Sequence, residues 1–188
     1  MTIMEFVRSR SHVAMAALLL AVPPVAAGQS GSAAASPEVK KVVEANLGHW
    51  NLTGTLTDPN SKTPSRLTVT IQCEAAALGM AVSCRVASDE TGGGHAETVS
   101  IMGYSPDDQL VHLMEVSSSG SYHEHKGRWK GNVIQFERMV KVVAGKRIVE
   151  EFSIGFPSPG TITIKSVEET AEGRSTMELM GTKGSQAK

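Results

Sequence analysis

The residues best suited to chemistry in this sequence are two histidines and a glutamate: His123, His125 and Glu115. Residues i and i+2 of a strand point to the same side, so the two histidine rings should lie next to each other. A hairpin turn predicted at residues 117–120 would place Glu115 opposite His123. Two imidazoles and a carboxylate can form an open zinc site, so one hypothesis is a metal-binding or hydrolytic site. The same residues also fit the wet face of an ordinary strand.

The remaining patterns do not predict catalysis. Serines are plentiful, but none lies in a nucleophile elbow or in a Ser, His and acid grouping with distinctive flanks. The run at residues 92–94 is glycine-rich, but it lacks the following lysine and helix of a phosphate loop, so it predicts a flexible hairpin loop. We therefore expect binding without catalysis, and the sequence predicts no cofactor.

A strand at residues 48–56 organises the elements that must position these residues. Trp50, Leu52 and Leu56 fall on one face and polar residues on the other, which is typical of a half-buried strand. A short helix should precede it, because Ser36 can cap the first turn and Pro37 suits the first helical position. We expect this helix to lie across one mouth of a β-barrel.

About nine further strands follow, joined by hairpin-length turns and with no second helix. They are predicted at residues 66–73, 80–87, 98–104, 109–116, 121–129, 133–143, 147–156, 161–167 and 174–182. Short strands with hairpin connections indicate an all-β fold, an antiparallel up-and-down barrel of about ten strands. If one turn centres on residues 77–80, Cys73 and Cys84 lie opposite each other, and a disulfide between them is geometrically reasonable.

The N-terminus has the features of an export signal. Arg8 and Arg10 precede an apolar run at residues 13–22, and small residues follow at 25–27. The run is shorter than the ~20 residues of a membrane span, so we predict cleavage and no transmembrane span in the mature chain. The predicted segments are a signal peptide at 1–27, a flexible linker at 28–36, a barrel domain at 37–183 and a disordered tail at 184–188.

Charge and cysteine content agree with an exported protein that does not bind nucleic acid. Of 18 basic and 19 acidic residues, Arg8, Arg10 and Glu5 lie in the predicted signal, which leaves a formal charge of about −2. Such a chain has no electrostatic field for nucleic acid. Two cysteines in an exported chain favour a disulfide over a redox or metal site. We predict a periplasmic or secreted protein.

Several segments resemble a known group of proteins. The helix followed by Gly48-His49-Trp50, the segment at 101–105, the hairpin up to Trp129 and the end at 177–183 resemble an uncharacterised family of small exported bacterial proteins. That family is a domain of unknown function similar to calycins, the lipocalin-like barrels. The resemblance implies a calycin-like barrel with one short N-terminal helix. It also implies that Trp50 packs across the closed end under a cation, for which Arg174 is the candidate. Haem-binding calycins of the nitrobindin type use a late histidine, and none follows His125.

The apolar faces of the strands indicate what lies inside the barrel. His112 shares a face with Leu110, Met114 and Val116, so we expect this face to point inward, although a lone histidine there is more often a core residue than a ligand. Only seven aromatic residues follow the predicted signal, and aliphatic side chains leave more room than rings. We therefore predict a small apolar or amphipathic ligand inside the barrel. The residues assigned to ligand contact are Trp50, Met102, His112 and Met114.

Two alternatives stay open at this point. One is the metal-binding or hydrolytic site on His123, His125 and Glu115. The other is a barrel with a filled core that acts only through its surface, because a packed core and a cavity use the same residue types.

Overall fold

The computed structural model describes residues 34–61, 63–92, 94–143 and 145–184. The predicted signal peptide at 1–27 lies outside the described residues, as do residues 28–33 of the predicted linker and residues 185–188 of the predicted tail. Within the described residues, no helix is both long and apolar enough to cross a membrane.

The predicted helix is present as α1, Pro37–Asn46. The Ser36 hydroxyl caps it by accepting a hydrogen bond from the Val39 N–H at 3.3 Å. Its apolar stripe is buried, with Val42 fully inaccessible. Gly48 has a φ of +110°, a conformation open to glycine, and there the chain turns from the helix into the first strand.

In the part of the chain that the structure describes, α1 is followed by eleven strands and one short 3₁₀ helix, Ala77–Gly79. The strands are β1 Gly48–Thr57, β2 Ser65–Ala76, β3 Ala81–Glu90, β4 Gly94–Ser105, β5 Leu110–Ser117, β6 Tyr122–Lys130, β7 Val133–Phe136, β8 Met139–Val143, β9 Lys146–Gly155, β10 Thr161–Thr170 and β11 Gly173–Lys183.

The sheet closes into an antiparallel barrel of ten strands. β11 pairs with β1, and β9 pairs with both β7 and β10, so the ring is complete. Among the described residues, β8 pairs with β9 alone. The predicted barrel of about ten strands with one helix near its N-terminus is confirmed.

The strand predicted at residues 133–143 is divided into β7 and β8 by a bulge. From Gln135 to Met139 the chain advances four residues, whereas its partner β9 moves back only three, from Ser153 to Glu150. Because of this extra residue, the side chains of β8 point to the opposite side of the sheet from the one that the alternation of β7 would give them. Ile134 therefore points inward on β7, while Lys141 points inward on β8.

A disulfide joins β2 to β3 on the barrel interior. Cys73 and Cys84 are directly opposite in the strand register, and their Cα atoms lie 4.1 Å apart. The predicted bridge is confirmed. The predicted inward faces of β1 and β2 are also those of the structure, since Trp50, Leu52 and Ile71 are buried.

Candidate functional site

The barrel interior contains two adjoining cavities of different character. The first, which we call the apolar chamber, lies at the helix end and has a volume of about 240 Å³. The second, which we call the polar end, lies at the opposite end and has a volume of about 370 Å³. Five residues line both cavities: Val86, Glu115, Glu150, Ser166 and Met177.

The apolar chamber is lined mainly by aliphatic side chains. Its lining includes Trp50, Val69, Ile71, Met102, Leu113, Phe152, Ile154, Ile162, Ile164 and Leu179. Two of the four residues predicted to contact a ligand, Trp50 and Met102, are among them. Both also hold the helix: the Trp50 indole N–H donates to the Asn46 carbonyl at 2.9 Å, and the Asn46 amide lies 3.6 Å from the Met102 sulfur.

The cation beside Trp50 is Lys183, not Arg174. The Lys183 Nζ lies 5.4 Å from the centroid of the indole ring. β1 and β11 run antiparallel with Trp50 opposite Lys183, whereas Arg174 lies at the start of β11 opposite Glu169 of β10. The prediction for Arg174 is therefore wrong, because the start of β11 lies at the other end of the barrel from Trp50.

The predicted inward face of β5 is also wrong. The Met114 side chain is 42% exposed on the outer surface, and the His112 Nε2 lies 2.9 Å from an Asp108 carboxylate oxygen. Neither residue lines a cavity of the interior; Leu113 and Glu115 do. The error has a physical cause, because the outer surface of β4, β5 and β6 is unusually apolar there. Its exposed residues are Val99, Ile101, Met114, Val116 and Tyr122.

The three residues of the predicted metal site come together at the polar end. Glu115 lies opposite His123 in the strand register, and its carboxylate oxygen is 3.7 Å from the His125 Nε2. The two histidine rings are 6.2 Å apart between centroids. Within the described residues, however, no group of three or more His, Cys, Asp or Glu side chains is arranged to hold a metal ion.

A buried ion pair network that the sequence analysis missed completes the polar end. The Lys141 Nζ donates to Glu150 at 2.8 Å and to Glu168 at 2.9 Å. Glu150 and Glu168 are direct cross-strand partners on β9 and β10, an arrangement that is unfavourable for like charges without a cation between them. The Ser166 hydroxyl donates to Glu150 at 3.4 Å. The one signal in the sequence was Lys141 itself, a charge between the apolar pairs Met139-Val140 and Val142-Val143.

Burial changes the titration of the groups around this network. Burial, reinforced by the neighbouring Glu150, raises the pKa of Glu115 to about 7. Burial lowers the pKa of both His123 and His125. Burial also acts to lower the pKa of Lys141, but its hydrogen bonds to Glu150 and Glu168 outweigh this and hold that pKa above its usual value. Near neutral pH, Glu115 is therefore within its titration range, Lys141 is charged, and both imidazoles favour their neutral form.

A solved protein structure shares this fold. The S-type phycobiliprotein lyase CPES from Guillardia theta is 12% identical, over 80% of this chain and 94% of its own, with a TM-score of 0.55. The chain has a calycin-like β-barrel fold. The redesigned β-barrel mFAP0 bound to DFHBI is 12% identical over 72% of this chain and 97% of its own, with a TM-score of 0.41. The structure of EF1p2_mFAP2b bound to DFHBI is 7% identical over 78% of this chain and 99% of its own, with a TM-score of 0.46.

At these identities the likeness is one of fold alone. A scan against protein-family models finds no match, and a search of the curated proteins finds none either. The predicted relation to a family of exported bacterial proteins therefore stays a prediction.

Proposed function

We propose that this protein binds one small amphipathic molecule inside the barrel, with the apolar part of that molecule in the apolar chamber and its polar group at the polar end. The observation that carries this proposal is the shared wall of the two cavities, which includes Val86, Glu115 and Glu150. A ligand that extends past these residues from one cavity into the other would bury apolar surface at one end and keep hydrogen-bonding partners at the other.

The lining of the chamber supports binding rather than chemistry there. Its side chains are aliphatic or aromatic apart from the disulfide, the polar groups Asn46, Ser88 and Ser100, and the residues Glu115, Glu150 and Ser166 that it shares with the polar end. An apolar cavity with few convergent polar groups is the usual form of a small-molecule site.

We also propose that the protein is exported, as a periplasmic or secreted member of the bacterial family that its sequence resembles. The disulfide between Cys73 and Cys84 supports an oxidising compartment, since such bonds persist mainly outside the cytosol. The predicted signal peptide, with Arg8 and Arg10 before its apolar run, supports the same compartment.

Fluorescence titration with N-phenyl-1-naphthylamine, an uncharged apolar probe, tests the binding proposal. We expect a saturable signal with about one site per chain. Val86→Trp should weaken binding at least tenfold, because Val86 lies where the cavities meet and the larger ring would fill that space. Met114→Trp is the matched control, since the same ring is added on the outer surface.

Two results would contradict the proposal. One is a folded parent protein that gives no saturable signal. The other is a parent signal that Val86→Trp leaves unchanged, in a variant whose circular dichroism shows an intact fold.

A further inference from the structure

The charges at the polar end are unbalanced. Three carboxyl groups, those of Glu115, Glu150 and Glu168, line this cavity together with one ammonium group, that of Lys141. Lys141 already donates to Glu150 and Glu168. The Glu115 carboxyl, which is a quarter exposed to the cavity, has no hydrogen bond to any described residue. This end of the barrel thus holds an acceptor group with no donor of its own.

His125 is a second group without a partner. Its side chain is only 3% exposed and is held between the rings of Phe136 and Phe152, with centroid distances of 5.7 and 5.3 Å. It lines the polar end, and its Nε2 is directed towards Glu115 at 3.7 Å, beyond hydrogen-bond distance. Within the described part of the chain it makes no side-chain hydrogen bond. Buried polar groups normally have partners, so a ring of this kind in a cavity wall points to a bound molecule.

We infer that the polar group of the ligand is a protonated amine, bound between Glu115 and the ring of His125 while its apolar part occupies the apolar chamber. This inference rests on the proposed function. An ammonium group would supply the hydrogen-bond donors that Glu115 and His125 lack, and charge-assisted bonds to a carboxylate are the stronger kind. A carboxylate ligand would instead face three glutamates, and Lys141, the one Lys or Arg among the described residues that line this cavity, is already engaged.

The inference predicts that binding depends on pH. The groups that face Glu115 are His123 and His125 from β6, Lys141 from β8, Glu150 from β9 and Glu168 from β10. β3 and β4 contribute Val86, Thr98 and Ser100, which do not titrate. Because the ammonium group prefers ionised Glu115, whose pKa is about 7, protonation of Glu115 competes with binding. Affinity for the amine should fall about tenfold from pH 8 to pH 6.

Displacement of N-phenyl-1-naphthylamine by three compounds with the same alkyl tail tests the inference. Octylamine is a cation at these pH values, octanol is neutral and octanoate is an anion. At pH 8 we expect octylamine to displace the probe at a concentration at least tenfold lower than octanoate, with octanol between them. Glu115→Gln should abolish both this preference and its pH dependence. Glu124→Gln, the same change on the outer surface of β6, should leave both intact.

The outcomes separate this inference from the proposed function. If the parent binds the probe but octanoate displaces it as well as octylamine does, the amine inference is overturned and the binding proposal stands. If the preference for octylamine persists in Glu115→Gln, the inference is also overturned. If the parent never binds the probe, the proposed function itself fails. Probe binding by Glu115→Gln at pH 6 reports that this variant is folded.

Discussion

The two ends of the barrel interior are held together by different forces. At the helix end, α1 packs on Trp50 and Met102, and apolar burial with a disulfide stabilises the structure. At the polar end, Lys141 lies between two glutamates that would otherwise repel each other, and Glu115 and His125 have no hydrogen-bond partners among the described residues. Charged and unpartnered groups in a protein interior cost stability, and they are retained mainly where they serve a function. The contrast between the two ends is therefore our main reason for placing the recognition of a polar group at the polar end.

The largest expected effect comes from removing the cation of the polar end. Lys141→Met should lower the free energy of unfolding by about 3 to 4 kcal/mol, because Glu150 and Glu168 would face each other without a counter-charge. Lys141 is 16% exposed and Glu150 is 10% exposed, so water screens their contact little, whereas the contact with Glu168, which is 35% exposed, is screened in part. Urea unfolding at pH 7 measures the loss.

The exposed pair Lys165 and Glu178 provides a matched control. Their side chains are 3.2 Å apart on the outer surface, so Lys165→Met should change stability by less than about 1 kcal/mol. Equal effects of the two lysine substitutions would mean that the polar end behaves as ordinary surface, and the contrast between the two ends would disappear.

Loss of the disulfide tests the apolar chamber. Replacing both Cys73 and Cys84 with alanine should lower stability by about 3 kcal/mol, since the bond closes a loop with a sequence separation of 11. Thermal unfolding of the oxidised parent with and without a reducing agent should show the same loss. Two free thiols in protein isolated from the periplasm or medium would contradict the bond, which would then no longer support the proposed compartment.

Glu115→Gln should give a smaller effect that depends on pH. The pKa of Glu115 is raised from 4.5 to about 7 in the folded protein, so the folded state binds this proton more tightly than the unfolded state. The associated stability is present below pH 4.5 and is lost as pH rises towards 7. From pH 5 to pH 8, the free energy of unfolding of the parent should therefore fall by about 2 kcal/mol relative to that of the variant.

Urea unfolding of the parent and Glu115→Gln at both pH values measures this difference. The free energy of unfolding of Glu124→Gln should equal that of the parent at both pH values, because Glu124 lies on the outer surface and is 43% exposed. An NMR titration that finds an ordinary pKa for Glu115 would contradict the structural account of the polar end.

Local patterns determined much of the fold. Alternation along β1 and β2 identified the buried residues Leu52, Val69 and Ile71, because one face of each strand is apolar and the other polar. Ser36 and Pro37 marked the start of α1. One turn near residue 78 was enough to pair Cys73 with Cys84, because the register of a hairpin follows from its turn.

Contacts between distant parts of the chain decided the candidate site. On β5 both faces are partly apolar, so the alternation could not show that Glu115 points inward and Met114 outward; the pairing with β4 and β6 decided this. One extra residue in the bulge between β7 and β8 turned Lys141 to the inside, and only the register with β9 reveals it. Sequence alternation reports the more apolar face of a strand. Where a site places charged residues inside a barrel, the more apolar face of a strand can be the outer one. Closure of the sheet then determines which face is enclosed.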